Sequence, residues 1–597
     1  MADENRLIDD RDLRFLLFEH LHAERLCALP HFADHSQQTF ELYLAEAARL
    51  ARQVVFQSYK PMDEQAAYFK DGRVHTHPLM RDLYPQIVEL GMLTAARPYA
   101  VDGQQLPLCV YSMAASYLMA ANLSAFGYCM LTTGAAHLIE SFGSDALRRD
   151  YMQPMYGGQW TGTMALTEPD AGSSLGDLRT RARPAGGHYL IDGSKVFISG
   201  GDNTLSENIV HLALARIEGA APGVKGISLF VVPKRRLQDD ALVDNDVAAA
   251  GTFHKLGWRG IPSIALNFGE GGDCHGYLVG EPGRGLHYMF QMMNEARINI
   301  GLHGVATASV AYQQALLYAR SRPQGRRLGA GADAPQVPII EHADVRRMLL
   351  RQKTIVEGGL ALVAVTARYA DLAEHAANPA ERERAQALLD LLTPITKSYP
   401  AEKGFEANTL AVQVHGGYGY TSEYLPEAWL RDQKLNSIHE GTTGIQSLDL
   451  LGRKVFRSAG ATLGPLLEEI AHAIEQAREA GLGDLADALA SARDGLETTS
   501  TALLTKAASD PDLALSHSAD YLELASTVVV GWQWLAMATL AGRALDTGCE
   551  AHDEPFYRGK LQAARYYAAT ELPRVAALAA LCQSCETSYH AMPSEWF

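Results

Sequence analysis

The sequence predicts an α+β protein that runs from helices into short strands and back into helices, and three observations predict it. Up to about residue 155, apolar residues recur at helical spacing. From about Gln159 the pattern becomes a series of short β-prone runs punctuated by Gly, Asp and Pro. From Gly285 the helical period returns in long stretches. These changes divide the 597 residues into an N-terminal helical domain (1–158), a middle β domain (159–285), a long-helix bundle (286–458) and an additional C-terminal helical domain (459–597).

In the first part, "RDLRFLLFEHLHAERL" and "FELYLAEAARLARQVVFQSY" carry helical periodicity, and "HPLMRDLYPQIVELGML" has a Gly near its end as a helix stop. In the second, "GHYLIDGSKVFISGG" places Asp192-Gly193 between two β-prone runs, a hairpin signal. "NIVHLALAR" alternates, "GISLFVVP" is a short continuous apolar run, and "SIALNFGE" and "HGYLVGE" continue the series. In the third, helices are expected over Gly285 to Arg322 and His342 to Ala377, with another from about Glu381 interrupted near Pro394 and Pro400. The window from Thr527, "TVVVGWQWLAMATLAGRAL", contains Gln533 and Arg543 and fits a buried bundle helix better than a membrane span.

Composition narrows the function classes. A net charge of −17 leaves no excess of Lys and Arg to neutralise phosphates, which argues against a general nucleic-acid binder. Seven dispersed cysteines read as reduced thiols, and the opening "MADENRLIDDRD" is too acidic for a secretory signal, so a cytoplasmic protein is expected. Cys582 and Cys585 form a lone CxxC without a second pair or a histidine at ligand spacing, and no metal is expected.

Four segments could carry chemistry. "MALTEPDAGSSLGDLRTRA" brings small residues, hydroxyls and backbone amides to a strand end, where a phosphate or polar ring edge could approach; a surface turn would have the same composition. "VFISGGD" puts Phe197 and Ser199 on one strand face. "QVHGGYGYTSEY" is Gly-rich but has no strand–turn–helix setting, so it is not a dinucleotide fingerprint. "LNSIHEGTTGIQS" holds Glu440 ahead of a free-turning Gly-Thr-Thr run; it is not a zincin, because Thr443 stands where HExxH needs its second His.

In this order and at these separations, TEPDAGS, FIS, "NEARINI", "YARSRPQGR", QVHGG and "RDQKLNSIHEGTTGIQ" resemble the acyl-CoA dehydrogenase family over roughly residues 60 to 455. The long N-terminal segment and the extra C-terminal helices are similar to its larger bacterial members, which include fatty acyl-CoA and methylthiopropanoyl-CoA dehydrogenases. The resemblance implies a middle β-barrel domain and a flavin-binding four-helix bundle at 286–458. It implies FAD as cofactor, with Met164, Leu166, Thr167, Ser173, Phe197, Ile198 and Ser199 at the flavin end. Arg322 would meet the pyrophosphate and Gln413, Gly416 and Gly417 the adenosine side, both from the neighbouring subunit of a homodimer. Thr442 and the backbone of Gly444 would complete the pocket, and Ser173, Asn294 and Arg297 would line the CoA path. The family commonly has Trp where Phe197 stands, Asp at Asn294 and Tyr at His439.

The same resemblance makes Glu440 the catalytic base in α,β-dehydrogenation of a fatty acyl-CoA to the trans-2-enoyl-CoA, a β-oxidation step, with medium to long chains expected. The Glu440 N–H and a ribityl hydroxyl would hold the thioester oxygen, the hydride would pass to the flavin, and electrons would continue to an electron-transfer flavoprotein. The alternatives are a methylthiopropanoyl-CoA dehydrogenase, an acyl-CoA oxidase using dioxygen, and a scaffold that has lost the chemistry.

Overall fold

The computed structural model describes residues 6–597, apart from the side chains of 290–294. The chain packs as two compact units, one formed by 41–106 and 114–296 and the other by 6–40, 107–113 and 297–597.

The first unit carries the strands: β1 (Tyr68–Lys70), β2 (Arg73–His75), β3 (Thr161–Ala165), β4 (Arg181–Pro184), β5 (Tyr189–Ser199), β6 (Ile209–Ile217), β7 (Ile227–Pro233), β8 (Arg235–Gln238), β9 (Ala241–Asp244), β10 (Val247–Thr252), β11 (Ser263–Phe268) and β12 (His275–Val279). Eight form one mixed sheet in the order β10-β11-β5-β12-β7-β6-β3, with β4 off that path and paired to β5 and β6. The expected β-barrel is therefore corrected. The outermost strands, β10 and β3, do not pair with each other, so the sheet keeps two edges. The ladder shifts register at Ala249/Gly251 and again at Ile264/Leu266, both on the side of the sheet that ends in β10.

Alternation along β6 and β7 explains their apolar runs. Leu212, Leu214, Leu229 and Val231 enter a core with Leu138 and Ile139 of helix α1 (Leu108–Phe142). Ala213, Ala215, Phe230 and Val232 enter a second core with Ile198, Leu266 and Phe268. Both faces are covered, so no polar face is needed.

Asp192-Gly193 is not a hairpin. It lies inside β5, where the strand changes partner: Asp192 pairs with Arg181 on β4, and Gly193 with Phe268 on β11. Gly is required there because a Cβ would sit 2.5 Å from Thr180 Oγ1. The hairpin falls earlier, at Ala185–His188, where the Ala185 N–H donates to His188 O at 2.9 Å. A further hairpin, β1–β2 around Asp71 and Gly72, lies in the region read as wholly helical.

In the second unit, long helices α2 (Gly285–Ser321, which starts in the first unit), α3 (Ala343–His375) and α4 (Pro379–His415) form a bundle. Contrary to the expected interruption, α4 runs through Pro394 and Pro400. Proline leaves the carbonyl four residues earlier without its helical partner, and close packing absorbs this. A Cβ on Gly301 of α2 would lie 2.2 Å from Thr396 O, and one on Gly304 would lie 2.7 Å from Pro400 O.

Helices α5 (Leu463–Glu479), α6 (Gly483–Ala507), α7 (Ser518–Thr547), α8 (Glu554–Thr570) and α9 (Arg574–Ser584) complete this unit. Both α1 and α7 are long and apolar enough to cross a membrane, and their most apolar windows are 94% and 89% buried. Trp534 of α7 donates from its indole to Thr354 O of α3 at 3.1 Å. Buried Lys560 of α8 pairs with Asp12 and Glu357, tying the chain's start and α3 to these helices.

Candidate active site

Glu440 lies on the loop between the short helix Leu435–Ser437 and the helix Thr443–Leu448. It is left-handed at φ 52°, and Gly441 follows at 88°. A left-handed non-glycine residue costs about 1–3 kcal/mol and persists only where its surroundings impose it. Here they do. Lys397 Nζ of α4 donates to Gly441 O at 2.8 Å, and Gln446 Nε2 donates to Glu440 O at 3.1 Å. Thr442 caps the following helix, its hydroxyl accepting from Ile445 N–H at 3.3 Å, and the Thr443 hydroxyl donates to Glu402.

Solvent reaches Glu440, yet protein atoms crowd its carboxyl closely enough that burial raises it above the ordinary carboxylate value, while Arg297 and Lys397 pull it back. The raised direction follows from that crowding. Arg297 is buried and pairs with Asp449 at 2.6 Å. Lys397 has no solvent exposure, and burial lowers its ammonium to about 8 despite attraction from Glu402 and Glu440. The ring of His439 stands 6.3 Å from that of His303.

At the far end of α2 and α4, a cavity of about 470 Å³ is lined by Tyr318, Arg322, His415, Gly416, Gly417 and Tyr418, among others. Tyr318 stacks on His415 at 4.5 Å, and the Arg322 guanidinium lies 5.8 Å from the Tyr418 ring centroid. Gly416 ends α4 at φ 62°, and Cβ atoms on Gly416 or Gly417 would meet nothing within 4 Å. A cation, flat rings and bare backbone suit a phosphate joined to a heterocycle. Gln413 is exposed one turn before these glycines, and Gly444 lies in the helix after Glu440.

The remaining expected residues lie in the first unit. Met164, Leu166 and Thr167 are half-buried at the end of β3, and Ser173 is exposed. Glu168 fixes this turn: it pairs with buried Lys195 at 2.7 Å and accepts from the Thr180 N–H and hydroxyl at 3.1 and 2.6 Å. Lys195 also donates to Leu166 O at 3.0 Å. Phe197 sits at the β5–β11 register shift with φ 61°, which turns its ring outward against Phe253 at 4.6 Å while Ile198 stays in the core. Ser199 is half-buried. Asn294 lies outside the described side chains.

The known proteins this chain resembles give the arrangement its context. Profiles described as the N-terminal, middle and C-terminal domains of acyl-CoA dehydrogenase match residues 44–159, 163–270 and 283–455, and one described as acetyl-CoA dehydrogenase C-terminal like matches 466–593. The chain belongs to the acyl-CoA dehydrogenase family. It is 38% identical to a 3-methylmercaptopropionyl-CoA dehydrogenase of Ruegeria pomeroyi over 94% of each chain, and 34% identical to a butyryl-CoA dehydrogenase of Syntrophomonas wolfei over 100% of each. It is 33% identical to a broad-specificity linear acyl-CoA dehydrogenase of Mycobacterium tuberculosis, over 94% of this chain and 95% of that one. In fold it is similar to a Bacillus anthracis acyl-CoA dehydrogenase solved with FAD, with a TM-score of 0.73 at 20% identity over 93% of this chain and 89% of that one.

The protein is thus an FAD-dependent oxidoreductase of the acyl-CoA dehydrogenase type, acting on CH–CH bonds. The Arg322 cavity with its bare glycines fits such a cofactor. Sequence reasoning missed Lys397, Asp449, Gln446 and the Glu168–Lys195 pair. The available signal was a charged or amide residue standing where helical or strand phase predicts core, as Lys397 does in "PITKSYP".

Proposed function

We propose that this dehydrogenase oxidises the Cα–Cβ bond of a short linear acyl-CoA, with Glu440 taking the α-proton. The observation that carries this reading is the left-handed Glu440, its carboxyl raised by burial and flanked by Arg297 and Lys397. An α-proton beside a thioester is weakly acidic, so the base must hold a proton better than a free carboxylate does. The two cations oppose that rise and favour the ionised carboxylate. The Glu440 backbone N–H meets the thioester oxygen, which gathers negative charge as the proton leaves. FAD, when bound, supplies the acceptor for the hydride departing from Cβ. The family resemblance implies that Arg322, Gln413, Gly416 and Gly417 would hold its pyrophosphate and adenosine side from the neighbouring subunit. By the same resemblance, Met164 to Thr167, Ser173, Phe197 to Ser199, Thr442 and Gly444 would meet its ring end.

Two of the relatives above are named for short acyl groups, butyryl and methylmercaptopropionyl, which supports a short chain in place of a medium to long one. Electrons pass to an electron-transfer flavoprotein, and the protein works as a homodimer; both follow from the family resemblance. Seven unpaired cysteines support a reducing, cytoplasmic setting. The test is anaerobic flavin reduction across saturated acyl-CoAs from butyryl to palmitoyl, together with methylthiopropanoyl-CoA. The fastest bleaching is expected with butyryl- or methylthiopropanoyl-CoA. A maximum at palmitoyl-CoA would overturn the short-chain reading, and rapid dioxygen uptake during turnover would make the enzyme an oxidase.

A further inference from the structure

Of the two buried cations beside Glu440, Lys397 donates to a backbone carbonyl among the described residues, whereas Arg297 pairs with a carboxylate. Burying an ammonium on α4 is unfavourable unless its surroundings compensate, and a carbonyl compensates less than the carboxylate that Arg297 has in Asp449. What Lys397 holds is Gly441 O, the second carbonyl of two consecutive left-handed residues. Gln446 holds the first. Fixing both carbonyls fixes the 440–441 and 441–442 peptide planes, the two that follow the Glu440 Cα, and so restrains the turn from which its side chain projects. Among the described residues, neither the Glu440 N–H nor the Gly441 N–H donates a hydrogen bond within the protein.

We propose that Lys397 is a positioning residue for the dehydrogenation: its buried ammonium pins the Glu440–Gly441 turn through Gly441 O and places a positive charge beside the base. This rests on Glu440 being the base. The charged and titratable groups around Glu440 come from several elements. Arg297 stands on α2, partly neutralised by Asp449, and Lys397 and Glu402 stand on α4. His439 precedes Glu440 in the chain, with its ring near that of His303. Removing the Lys397 charge leaves Arg297 as the remaining cation acting on Glu440, so the carboxyl holds its proton to higher pH.

The experiment compares full-length, FAD-loaded Lys397→Met, Lys397→Gln, Gln446→Leu and Glu440→Gln with the parent protein. It reads flavin content, Tm and the pH profile of kcat/KM with butyryl-CoA. For Lys397→Met the acid limb is expected to move up by about one pH unit. Its kcat should fall by about tenfold or more, with KM changed far less, as for a group that acts through another. Lys397→Gln keeps a donor for Gly441 O without the charge; it should recover part of kcat at high pH and retain the displaced limb. Gln446→Leu should lower kcat with the limb in place. If Lys397→Met does not fold, Lys397→Gln carries the test, and an unmoved limb in that variant overturns the inference. A Glu440→Gln protein that still reduces its flavin overturns the base itself. A dead Glu440→Gln beside normal Lys397 variants overturns the role of Lys397 alone.

Discussion

Gly301→Ala should weaken the enzyme although Gly301 lies in a helix interior, where alanine is ordinarily favoured by about 1 kcal/mol. The new Cβ would sit 2.2 Å from Thr396 O, more than about 1 Å inside the ~3.5 Å at which non-bonded atoms pack. The obstacle is backbone, which cannot rotate away as a side chain could. Helices α2 and α4 must therefore separate locally at Thr396, the residue before Lys397. Overpacking of this kind costs about 1–3 kcal/mol. At about 2–4 °C per kcal/mol for a large domain, Tm should fall by roughly 2–12 °C. A displacement of about 1 Å next to the chemistry should also slow flavin reduction by about tenfold or more. The assay pairs calorimetry with anaerobic stopped-flow reduction by butyryl-CoA. Gly464→Ala is the control, since its Cβ would meet nothing within 4 Å. Parent-like Tm and reduction rate in Gly301→Ala would refute both the packing argument and its link to Lys397.

Glu168→Gln should leave the Lys195 ammonium buried without its counter-charge, costing about 3–5 kcal/mol and loosening the turn after β3; thermal unfolding and retained FAD on gel filtration measure it, and parent values would refute it. Phe197→Gly relieves a left-handed non-glycine residue worth about 1–2 kcal/mol, so Tm should hold or rise while FAD is lost more readily, as dilution fluorescence would detect. Burial lowers His20 to about 4 and both His211 and His303 to about 3. Their folded values lie below the unfolded value of about 6.5, so the unfolded chain binds more protons and stability falls as pH drops. That contribution is complete above about pH 6.5 and is lost progressively toward about 3 to 4. Calorimetric Tm measured from neutral to moderately acidic pH should decline, and a flat profile would count against the buried neutral imidazoles.

The sequence shows element types well where one pattern acts alone. The apolar runs of β6 and β7 and the long periods of α2 and α3 are set by which faces are covered, and periodicity records that directly. It misleads where a local preference is overridden from a distance. Asp192-Gly193 favours a tight turn, but two partner strands on either side of it keep β5 extended. Pro394 and Pro400 disfavour a helix, but α4 is buried along its middle and α2 offers glycines where Pro400 leaves Thr396 O exposed. The barrel expectation fails because β10 and β3 do not pair with each other, and which strands end up at a sheet's edges is not displayed by any single-strand pattern.

At the site, Glu440 is visible because a carboxylate ahead of Gly-Thr-Thr is chemically conspicuous. Its supports are not visible. Lys397 lies 43 positions away, and its meaning depends on where its Nζ ends rather than on its neighbours in sequence. Arg297 was legible as a cation, but its burial against Asp449 follows only from the packing of α2 against the segment beyond the loop.

The central claim is that Glu440 removes the α-proton. Its most direct test is a single anaerobic turnover of Glu440→Gln, loaded with FAD and mixed with saturating butyryl-CoA. Normal binding is expected, seen as the ligand-induced change in the flavin spectrum, without bleaching on the time scale of the parent protein. Bleaching at a rate within about tenfold of the parent, a barrier change of only about 1.4 kcal/mol, would contradict it.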